Sequence, residues 1–541
     1  MQDIATNFIS DINTLAPQAV QAAEVDPLAV LSKADRKRFL EFGFGPSQPP
    51  RFPTITDAIL HQMISHPDAI AAQAGSRSMT YGALDAASER LAAVLQAHGV
   101  QRGDAVCLYL HRSLEMLVGI AAILKLGAAY VPQHVGVAPK ETLRHIADAT
   151  GASVILSLST LSAQVPVAAH QTLITIDTVA YDPALDAQQP GKHKIAVQPH
   201  DLAMMLFTSG TTGVPNGVQV THANLANILL TSPGDLGMRP GLKVGQILSI
   251  AFDMAAWETL GALANGATLL IRGKSIQETA EQADILIATP SILNALDADR
   301  CRQVKTAAVA GEPCPRPLAD TWSGFCTFYN SCGPTETTII NTAEPHHPDK
   351  PVLSIGRPTP NNTVYILDDN LNPLPIGHKG EMWAGGDCVT AGYLANPDLT
   401  ADRYRPDPFR PGRMMFRTRD LGRWTEDGAL EHFGRVDDLV KIRGFRVELD
   451  GVTAALECSE CCDQAVTLKY DSRNLVSFIS PAHACPKKAA NEVHSRLPYY
   501  CAPTVVLPMD GLPRTPRGKL DKRQLLQLAQ DHIATAGLEL N

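Results

Sequence analysis

A turn rich in glycine and hydroxyl residues has the composition of an anion-binding loop. Residues 206–217 read LFTSGTTGVPNG and overlap the apolar run 202–207, which predicts a strand. Glycine lets successive backbone N–H groups point at one anion, and the hydroxyls add donors for phosphate oxygens. The loop lacks the Gly-Lys-Ser/Thr ending of the common nucleotide-binding pattern. Taken by itself, it is either a phosphate-binding loop or an ordinary surface turn.

Six further motifs follow this loop along the chain. They are NSCGPTETT at residues 330–338, GEMWAGG at 380–386, FRTRDL at 416–421, GRVDD at 434–438, KIRGFR at 441–446 and PRTPRGK at 513–519. Their order and spacing resemble the adenylate-forming superfamily, and within it the adenylation domains of nonribosomal peptide synthetases and related fungal-type enzymes. The resemblance covers residues 52–526. It implies an enzyme that uses ATP to convert a carboxylic acid into an acyl-adenylate.

The resemblance assigns three catalytic residues. Glu336 would ligate Mg²⁺, Thr335 would lie beside the α-phosphate, and Lys519 would screen the α-phosphate and the attacking carboxylate. These roles suit phosphoryl transfer, because catalysis there consists mostly of positioning and of neutralising charge on phosphoryl oxygens. ATP and Mg²⁺ are therefore the expected cofactors.

The resemblance also assigns the contacts with the nucleotide. Asp420 would accept hydrogen bonds from both ribose hydroxyls, for which a carboxylate has enough acceptor sites. Arg435 would reach the phosphates or the ribose. The other residues expected at the nucleotide are Thr208, Ser209, Gly210, Thr211, Thr212, Gly213, Gly311, Glu312 and Cys332.

Residues 251–258, AFDMAAWE, match the segment that holds the substrate's α-ammonium group in amino-acid-activating members. Asp253 would supply the opposite charge that a buried ammonium needs. Small walls leave volume, and the predicted pocket contains no charge besides Asp253 and Lys519, so a large apolar or aromatic amino acid is the expected substrate. The residues predicted around its side chain are Met254, Trp257, Ala288, Ala308, Ala310, Ser331, Ile339 and Ile340.

Three positions in the motifs depart from the pattern of the superfamily. Asn216 stands where lysine is usual, Arg419 where glycine is usual, and Cys332 where an aromatic residue is usual. Loss of the lysine removes a positive charge near the departing pyrophosphate, and loss of the aromatic ring removes a stacking surface for adenine. We expect weaker ATP binding, with Arg419 as a candidate for restoring the missing charge.

The elements that position these motifs alternate between helix and strand. Residues 80–98 have a helical period of leucines, and 105–110 form a short β-rich run. The pattern predicts an α/β fold with a large N-terminal domain of layered sheets and flanking helices at 51–435. A small, mobile α+β C-terminal domain is expected at 436–541, with Asp437 at the hinge. Residues 1–50 end in GPSQPP and are predicted to be a leader or linker.

The charge of the chain excludes some partners. A formal net charge of −9 offers no field that attracts nucleic acid or an anionic membrane. No apolar stretch has the roughly 20 residues that cross a bilayer, and the N-terminus does not resemble a signal peptide, so a cytoplasmic location is expected.

The acceptor of the activated acid is predicted from the resemblance. Expected partners are the amino acid, ATP and a peptidyl carrier domain with a phosphopantetheine thiol, present in cis or in trans. One alternative is an acyl- or aryl-CoA ligase, against which Asp253 argues. Another is a catalytically weakened homologue, suggested by Asn216, Arg419 and Cys332.

Overall fold

A computed structural model describes residues 26–182, 196–208, 214–436, 439–514, 520–538 and 540. Its helices, in chain order, are α1 (Lys33–Gly43), α2 (Ile55–Ser65), α3 (Tyr81–Ala97), α4 (Leu114–Lys125), α5 (Lys140–Ala149), α6 (Ile176–Val179), α7 (His222–Leu229), α8 (Asp253–Ala264), α9 (Ile276–Ala280), α10 (Pro290–Asn294), α11 (Arg316–Ser323), α12 (Pro397–Arg403), α13 (Leu449–Glu457), α14 (Pro486–Arg496) and α15 (Lys522–Ala536).

Strands alternate with these helices over most of the chain. In chain order they are β1 (Ile70–Ala74), β2 (Arg77–Thr80), β3 (Ala105–Leu110), β4 (Ala129–His134), β5 (Val154–Ser157), β6 (Thr172–Thr175), β7 (Leu202–Thr208), β8 (Asn216–Thr221), β9 (Lys243–Gln246), β10 (Thr268–Ile271), β11 (Ile285–Ala288), β12 (Thr306–Val309), β13 (Thr327–Cys332), β14 (Thr342–Pro345), β15 (Arg357–Pro358), β16 (Asn362–Leu367), β17 (Gly380–Gly386), β18 (Tyr404–Pro406), β19 (Met414–Trp424), β20 (Leu430–Arg435), β21 (Leu439–Ile442), β22 (Phe445–Glu448), β23 (Gln464–Lys469), β24 (Leu475–Ser480) and β25 (Val505–Pro508).

Two largely parallel sheets form the centre of the N-terminal domain. One has the strand order β6-β5-β3-β4-β7-β8, and the other has the order β15-β14-β13-β12-β11-β9-β10-β1-β2. Helix α4 is buried along its whole length, as expected for a helix that is apolar on every side. The hydroxyl of Ser113 caps this helix by accepting a hydrogen bond from the backbone N–H of Met116.

A third, antiparallel sheet joins β16, β17, β19 and β18, and β20 pairs with β19. Helix α1 packs on this sheet, where Phe39 stacks on Tyr365 and Phe42 lies against Trp424. Part of the segment expected to be a leader is therefore packed against the core. Its helix buries two aromatic rings, which a solvated linker would leave in water.

The C-terminal part has an antiparallel hairpin, β21–β22, and a sheet of β23, β24 and β25. Two apolar clusters fill it, one around Val447 and Leu456 and the other around Phe478 and Leu525. The predicted mixed α/β architecture, with a large N-terminal and a small C-terminal domain, is confirmed. No helix in the described ranges is long and apolar enough to span a membrane.

Candidate active site

The hairpin β21–β22 presents two cations on one face. Lys441 pairs with Arg446 across the strands, so their side chains project from the same side. The turn residues Arg443 and Gly444 have φ of 52° and 85°, and positive φ at both central residues defines a tight hairpin turn. A Cβ at Gly444 would lie 2.9 Å from Cγ2 of Thr289, so the turn also requires glycine for close approach.

Arg446 pairs with the predicted magnesium ligand. Its Nη1 donates to both oxygens of Glu336, at 3.1 and 3.0 Å, and the hydroxyl of Tyr393 donates to the same carboxylate at 2.6 Å. Burial alone would raise the pKa of Glu336, but Arg446 and Arg403 outweigh it and hold the pKa below its ordinary value. Glu336 is therefore a buried, ionised carboxylate.

Lys441 lies among the acidic groups of the site. Burial lowers the pKa of its ammonium, while the charges of Asp253 and Asp420 oppose that shift. A Cβ at Gly311 would be 3.6 Å from Nζ of Lys441, which fixes the ammonium beside the loop that follows β12. The hairpin therefore brings its lysine near enough to Asp253 for the two charges to interact.

Asp253 begins α8 and is held in place at both oxygens. Oδ1 accepts from the backbone N–H of Met254 at 2.7 Å, and Oδ2 accepts from the hydroxyl of Thr335 at 2.8 Å. Burial raises its pKa, and Thr335 and Lys441 offset part of this rise. The structure thus brings together Asp253, Thr335 and Glu336, which are separated by up to 83 positions in the sequence.

Asp420 is buried on β19 and faces two basic groups. Nη1 of Arg435 lies 3.0 Å from its Oδ1, and Nε2 of His432 lies 3.4 Å from the same oxygen. Burial raises the pKa of Asp420, but His432 and Arg435 lower it overall, so the carboxylate is ionised. Asp420 and Arg435, both predicted at the nucleotide, are in direct contact.

The predicted phosphate loop begins at the end of β7. Thr208 lies on that strand, and its hydroxyl is 3.5 Å from the carbonyl oxygen of Asn216 on β8. The Asn216 side chain accepts a hydrogen bond from Nδ2 of Asn396 at 3.2 Å. The remaining residues of the loop and two further predicted functional residues lie outside the described ranges: Ser209, Gly210, Thr211, Thr212, Gly213, Asp437 and Lys519.

Three other predicted nucleotide residues lie at the carboxyl ends of β12 and β13: Gly311 and Glu312 follow β12, and Cys332 is the last residue of β13. Gly311 has a φ of 92°, in the region that favours glycine. Glu312 accepts a hydrogen bond from the backbone N–H of Ser291 at 2.9 Å, and its other oxygen is buried without a partner in the described residues. Burial raises the pKa of the Cys332 thiol to about 12, so the thiol is neutral.

Arg419 has a backbone conformation that favours glycine. Its φ is 62°, and its Nη2 lies 3.2 Å from Oδ2 of Asp402 on α12. A non-glycine residue in the left-handed region costs about 1–2 kcal/mol. Arg419 thus forms an ion pair with Asp402. Its compensation for the missing lysine stays a prediction.

Helix α8 contributes two predicted pocket residues beyond Asp253. Met254 is buried, and its sulfur would lie 3.7 Å from a Cβ at Gly311. Trp257 is fully buried and donates its indole N–H to the carbonyl oxygen of Gly234 at 2.6 Å. The ring of Trp257 is therefore fixed in one orientation beside Asp253.

Strand register decides which residues of β11–β13 share a face. Ile287 pairs with Ala308, and Ala308 pairs with Tyr329, two residues before Ser331. Side chains alternate along a strand, so Ile287, Ala308 and Ser331 lie on one face and Ala288 lies on the other. Ile287 therefore joins the predicted pocket residues Ala308 and Ser331 on one face, and the place of Ala288 in the pocket stays a prediction.

The loop that follows Glu336 has strained backbone. Ile339 has a φ of 74°, which is an outlier for a β-branched residue, and both Ile339 and Ile340 are buried. Ala310, which follows β12, is buried and donates its backbone N–H to Ala288 at 3.3 Å. All the predicted pocket residues are therefore buried or nearly so around the ends of these strands.

The residues fit a magnesium site with one protein ligand. Mg²⁺ prefers carboxylate and phosphate oxygens and is often bound by one or two carboxylates together with substrate phosphates. The described ranges contain no group of three or more His, Cys, Asp or Glu residues that could hold a metal by themselves. Glu336 fits this role chemically, but Arg446 occupies both of its oxygens, so guanidinium and metal exclude each other there.

Comparison with known proteins identifies the family. The family model described as "AMP-binding enzyme" matches residues 60–394. The chain is 42% identical over 511 residues to adenylate-forming reductase 03009 of Coprinopsis cinerea, covering 94% of this chain and 50% of that protein. It is 34% identical over 536 residues to the phosphinothricin tripeptide synthetase PhsC of Streptomyces viridochromogenes, covering 95% of this chain and 48% of that protein.

A solved structure shares the fold. The adenylation domain AlmE of Vibrio cholerae, in complex with glycyl-adenosine-5′-phosphate, matches with a TM-score of 0.77 and 20% identity, over 90% of this chain and all of that one. The chain spans about half the length of the first curated relatives that it matches. Motif order, site geometry and these similarities agree, and the chain belongs to the AMP-binding family of adenylate-forming enzymes.

Proposed function

We propose that the protein activates an amino acid as aminoacyl-AMP, with release of pyrophosphate, and then transfers it to a phosphopantetheine thiol. The observation that carries this proposal is Asp253, a partly buried carboxylate that Thr335 connects to the Glu336 side of the site. Burial raises its pKa, and a carboxylate withdrawn from water is stabilised by a nearby cation. The substrate's ammonium group would be that cation.

The adenylation step requires charge stabilisation around the α-phosphorus. The acid's carboxylate attacks phosphorus while the bond to pyrophosphate breaks, and negative charge moves onto the leaving group. Mg²⁺ held by Glu336 would neutralise part of this charge. Thr335 donates its hydroxyl to Asp253, and this hydroxyl would lie beside the α-phosphate and the substrate's carboxyl end. Asp420 would orient the ribose, and Lys519 would screen the two reacting anions.

The position of the hairpin implies two arrangements of the site. With the hairpin inserted, Arg446 occupies the carboxylate expected to hold Mg²⁺, and the charge of Lys441 acts on Asp253. We therefore expect the hairpin to withdraw before the metal binds. Movement about the predicted hinge at Asp437 would achieve this, because a pivot of a few residues can rotate a small domain.

The substrate proposal is a large apolar or aromatic amino acid. Ala308 and Ser331 provide small walls on one sheet face, and Ile287 is added to this face by the strand register. Trp257 fills part of the neighbouring volume. The pocket is thus mostly apolar, which disfavours a charged side chain.

The relatives suggest where the activated acid goes next. An adenylate-forming reductase from Coprinopsis cinerea matches 94% of this chain with about half of its own length. As a second candidate we propose that this chain is the adenylating part of such a longer enzyme, in which the carrier-bound acyl group is reduced. Both candidates share the adenylation and thiol-transfer steps, with the carrier in cis or in trans.

Pyrophosphate exchange is the experiment that tests the main proposal. The full chain is incubated with ATP, Mg²⁺, labelled pyrophosphate and a panel of amino acids, aryl acids and fatty acids. Exchange that depends on a large apolar or aromatic amino acid is the expected result. Exchange with acids lacking an amino group would favour the CoA-ligase alternative, and absence of exchange with every acid would favour the weakened homologue.

A further inference from the structure

Four basic side chains cluster at the carboxyl ends of strands from both central sheets. His111 and Arg112 directly follow β3, His134 ends β4, and Arg272 directly follows β10. Ligands in α/β proteins bind preferentially at the carboxyl ends of parallel strands. None of the four was assigned a role in adenylation by the sequence motifs.

The side chains of this cluster are fixed by contacts with each other and with the backbone. Nδ1 of His111 lies 3.3 Å from Nε2 of His134, and the rings are 4.7 Å apart. Nε of Arg112 donates to the carbonyl oxygen of Leu248 at 2.6 Å. Nε of Arg272 is buried and lacks a hydrogen-bond partner in the described residues. The cluster is therefore preorganised, and Nε of Arg272 remains as a hydrogen-bond donor for a ligand.

The electrostatics of the cluster favour an anion. Burial lowers the pKa of Arg112 to about 10, with Arg272 adding to the effect. Burial also lowers the pKa of His134 to about 4, and the charges of His111 and Arg112 contribute. Glu258 is the acidic group that interacts with both arginines, and burial raises its pKa to about 8, so its charge is weak at neutral pH. An incoming anion would supply the missing negative charge.

A row of aromatic contacts leads from the cluster to the reaction site. Arg272 interacts electrostatically with the phenol of Tyr499. The ring of Tyr499 is 6.0 Å from that of Phe445, and Phe445 is 4.8 Å from Phe252, the residue before Asp253. These aromatic residues therefore connect the neighbourhood of Arg272 with Phe252, the residue before Asp253.

We propose that His111, Arg112, His134 and Arg272 bind the phosphate of the phosphopantetheine arm whose thiol accepts the acyl group. This inference rests on the proposed function and names how that site recognises its acceptor. The arm has an anion at one end, a thiol at the other and an apolar and amide chain between them. The phosphates of ATP have their own expected partners in Thr208 and in Mg²⁺ held by Glu336, so the cluster is available for a second phosphate.

The test measures binding of thioether analogues that cannot react. S-methyl-4′-phosphopantetheine and S-methylpantetheine differ by the phosphate, and each is titrated calorimetrically into the full chain. The wild-type protein should bind the phosphorylated analogue at least about tenfold more tightly, because a charge-assisted hydrogen bond to phosphate is strong. Arg272→Ala should remove this difference, and Arg272→Lys should restore part of it.

Lys274→Ala is the matched control, because Lys274 is an exposed cation two residues further along the chain. It should keep the wild-type preference for phosphate. Circular dichroism and thermal unfolding show whether each variant is folded. Equal binding of the two analogues by folded wild-type protein would overturn the inference, as would an unchanged preference in folded Arg272→Ala.

A second pair of ligands distinguishes the two sources of the phosphate. A serine peptide carrying S-methyl-phosphopantetheine represents a carrier, and S-methyl-coenzyme A represents the free cofactor. Tighter binding of either one through Arg272 supports the phosphate site and identifies its source. Failure of pyrophosphate exchange would contradict the proposed function, whereas equal binding of the phosphorylated and unphosphorylated analogues by the wild-type protein contradicts this inference alone.

Discussion

Arg446 places one guanidinium nitrogen 3.1 and 3.0 Å from the two carboxylate oxygens of Glu336. The carboxylate is fully buried, and the guanidinium comes from a hairpin 110 residues further along the chain. Removing one partner of a buried ion pair costs about 3–5 kcal/mol, because the other charge is left uncompensated. The pair therefore stabilises the inserted hairpin and competes with Mg²⁺ for the same oxygens.

Replacing Arg446 should separate the two half-reactions. In Arg446→Ala the inserted arrangement loses its ion pair, so we expect thioester formation to slow at least about tenfold. The Mg²⁺ concentration that gives half-maximal pyrophosphate exchange should fall, since the metal no longer displaces a guanidinium. Steady-state exchange across a Mg²⁺ series and a single-turnover thioester assay measure the two effects.

Arg473→Ala serves as the control for this prediction, because Arg473 is an exposed arginine in the same C-terminal domain. It should leave both assays as in the wild type. An Arg446→Ala enzyme with unchanged thioester formation and unchanged Mg²⁺ dependence would show that the ion pair does not govern the reaction.

Asp253→Asn should abolish most activation of amino acids while keeping the size of the side chain. Loss of one partner of a buried charge pair costs about 2–5 kcal/mol, which corresponds to a decrease in kcat/KM of about 30-fold or more. Burial raises the pKa of Asp253, so its charge, and with it exchange, should be lost on acidification earlier than for an ordinary aspartate. Pyrophosphate exchange from pH 5 to 8 measures both effects.

The exposed Asp349 provides the comparison, since Asp349→Asn removes the same charge from a surface loop. This variant should behave as the wild type. Equal exchange by Asp253→Asn and the wild type with the same amino acid would remove the basis for the proposed substrate class.

The sequence predicted the acidic groups of the site better than the basic ones. Glu336 and Asp420 lie in motifs whose spacing is recognisable, and the structure places both in the site. Arg446 lies in the recognisable motif KIRGFR, but its partner depends on how the hairpin packs against a segment far away in the chain. A local pattern predicts the hairpin turn and does not predict that contact.

Strand β11 and the first fifty residues also show that a local sequence pattern does not predict a contact with a distant part of the chain. The residues of β11 could be identified as apolar, but the face on which Ile287 and Ala288 lie depends on the pairing of β11 with β12, which a local pattern does not contain. The polar, proline-rich end of the first fifty residues concealed a helix whose Phe39 and Phe42 are buried by a sheet much later in the chain. The helix is thus stabilised by burial against a distant sheet, which local composition does not show.

A conservative change at Ile287 should alter the choice of substrate. Ile287→Val removes one methylene from the face shared with Ala308 and Ser331, and one methylene in an apolar pocket is worth about 1–3 kcal/mol. The ratio of kcat/KM for two amino acids that differ by one methylene should therefore change at least about fivefold in favour of the larger one. Competitive pyrophosphate exchange measures this ratio directly.

Ile285→Val is the matched substitution, because Ile285 lies on the same face of the same strand and further from its carboxyl end. Both variants should lose about 0.5–1.5 kcal/mol of stability. A similar change of substrate ratio in both variants would assign the effect to general loosening of the core and not to the pocket.

Glu258 should make the stability of the N-terminal domain depend on pH. Its carboxylate is fully buried and accepts hydrogen bonds from the backbone N–H groups of Ile247 and Leu248, at 2.9 and 3.2 Å. Burial raises its pKa from 4.5 to about 8 in the folded state, and the charge of Arg112 opposes part of this rise. Between these values the folded protein binds more protons than the unfolded chain, so the free energy of unfolding falls as pH rises from about 4.5 to about 8.

Glu258→Gln removes this titration and keeps an acceptor for one of the backbone groups. The difference in unfolding free energy between variant and wild type should shift in favour of the variant by on the order of 4 kcal/mol between pH 4.5 and 8. Urea unfolding at several pH values measures this difference, with Glu460→Gln as an exposed control. A difference that stays constant with pH would mean that Glu258 releases its proton equally easily in the folded and unfolded chains, in which case its charge would also compensate Arg112 and Arg272 at neutral pH.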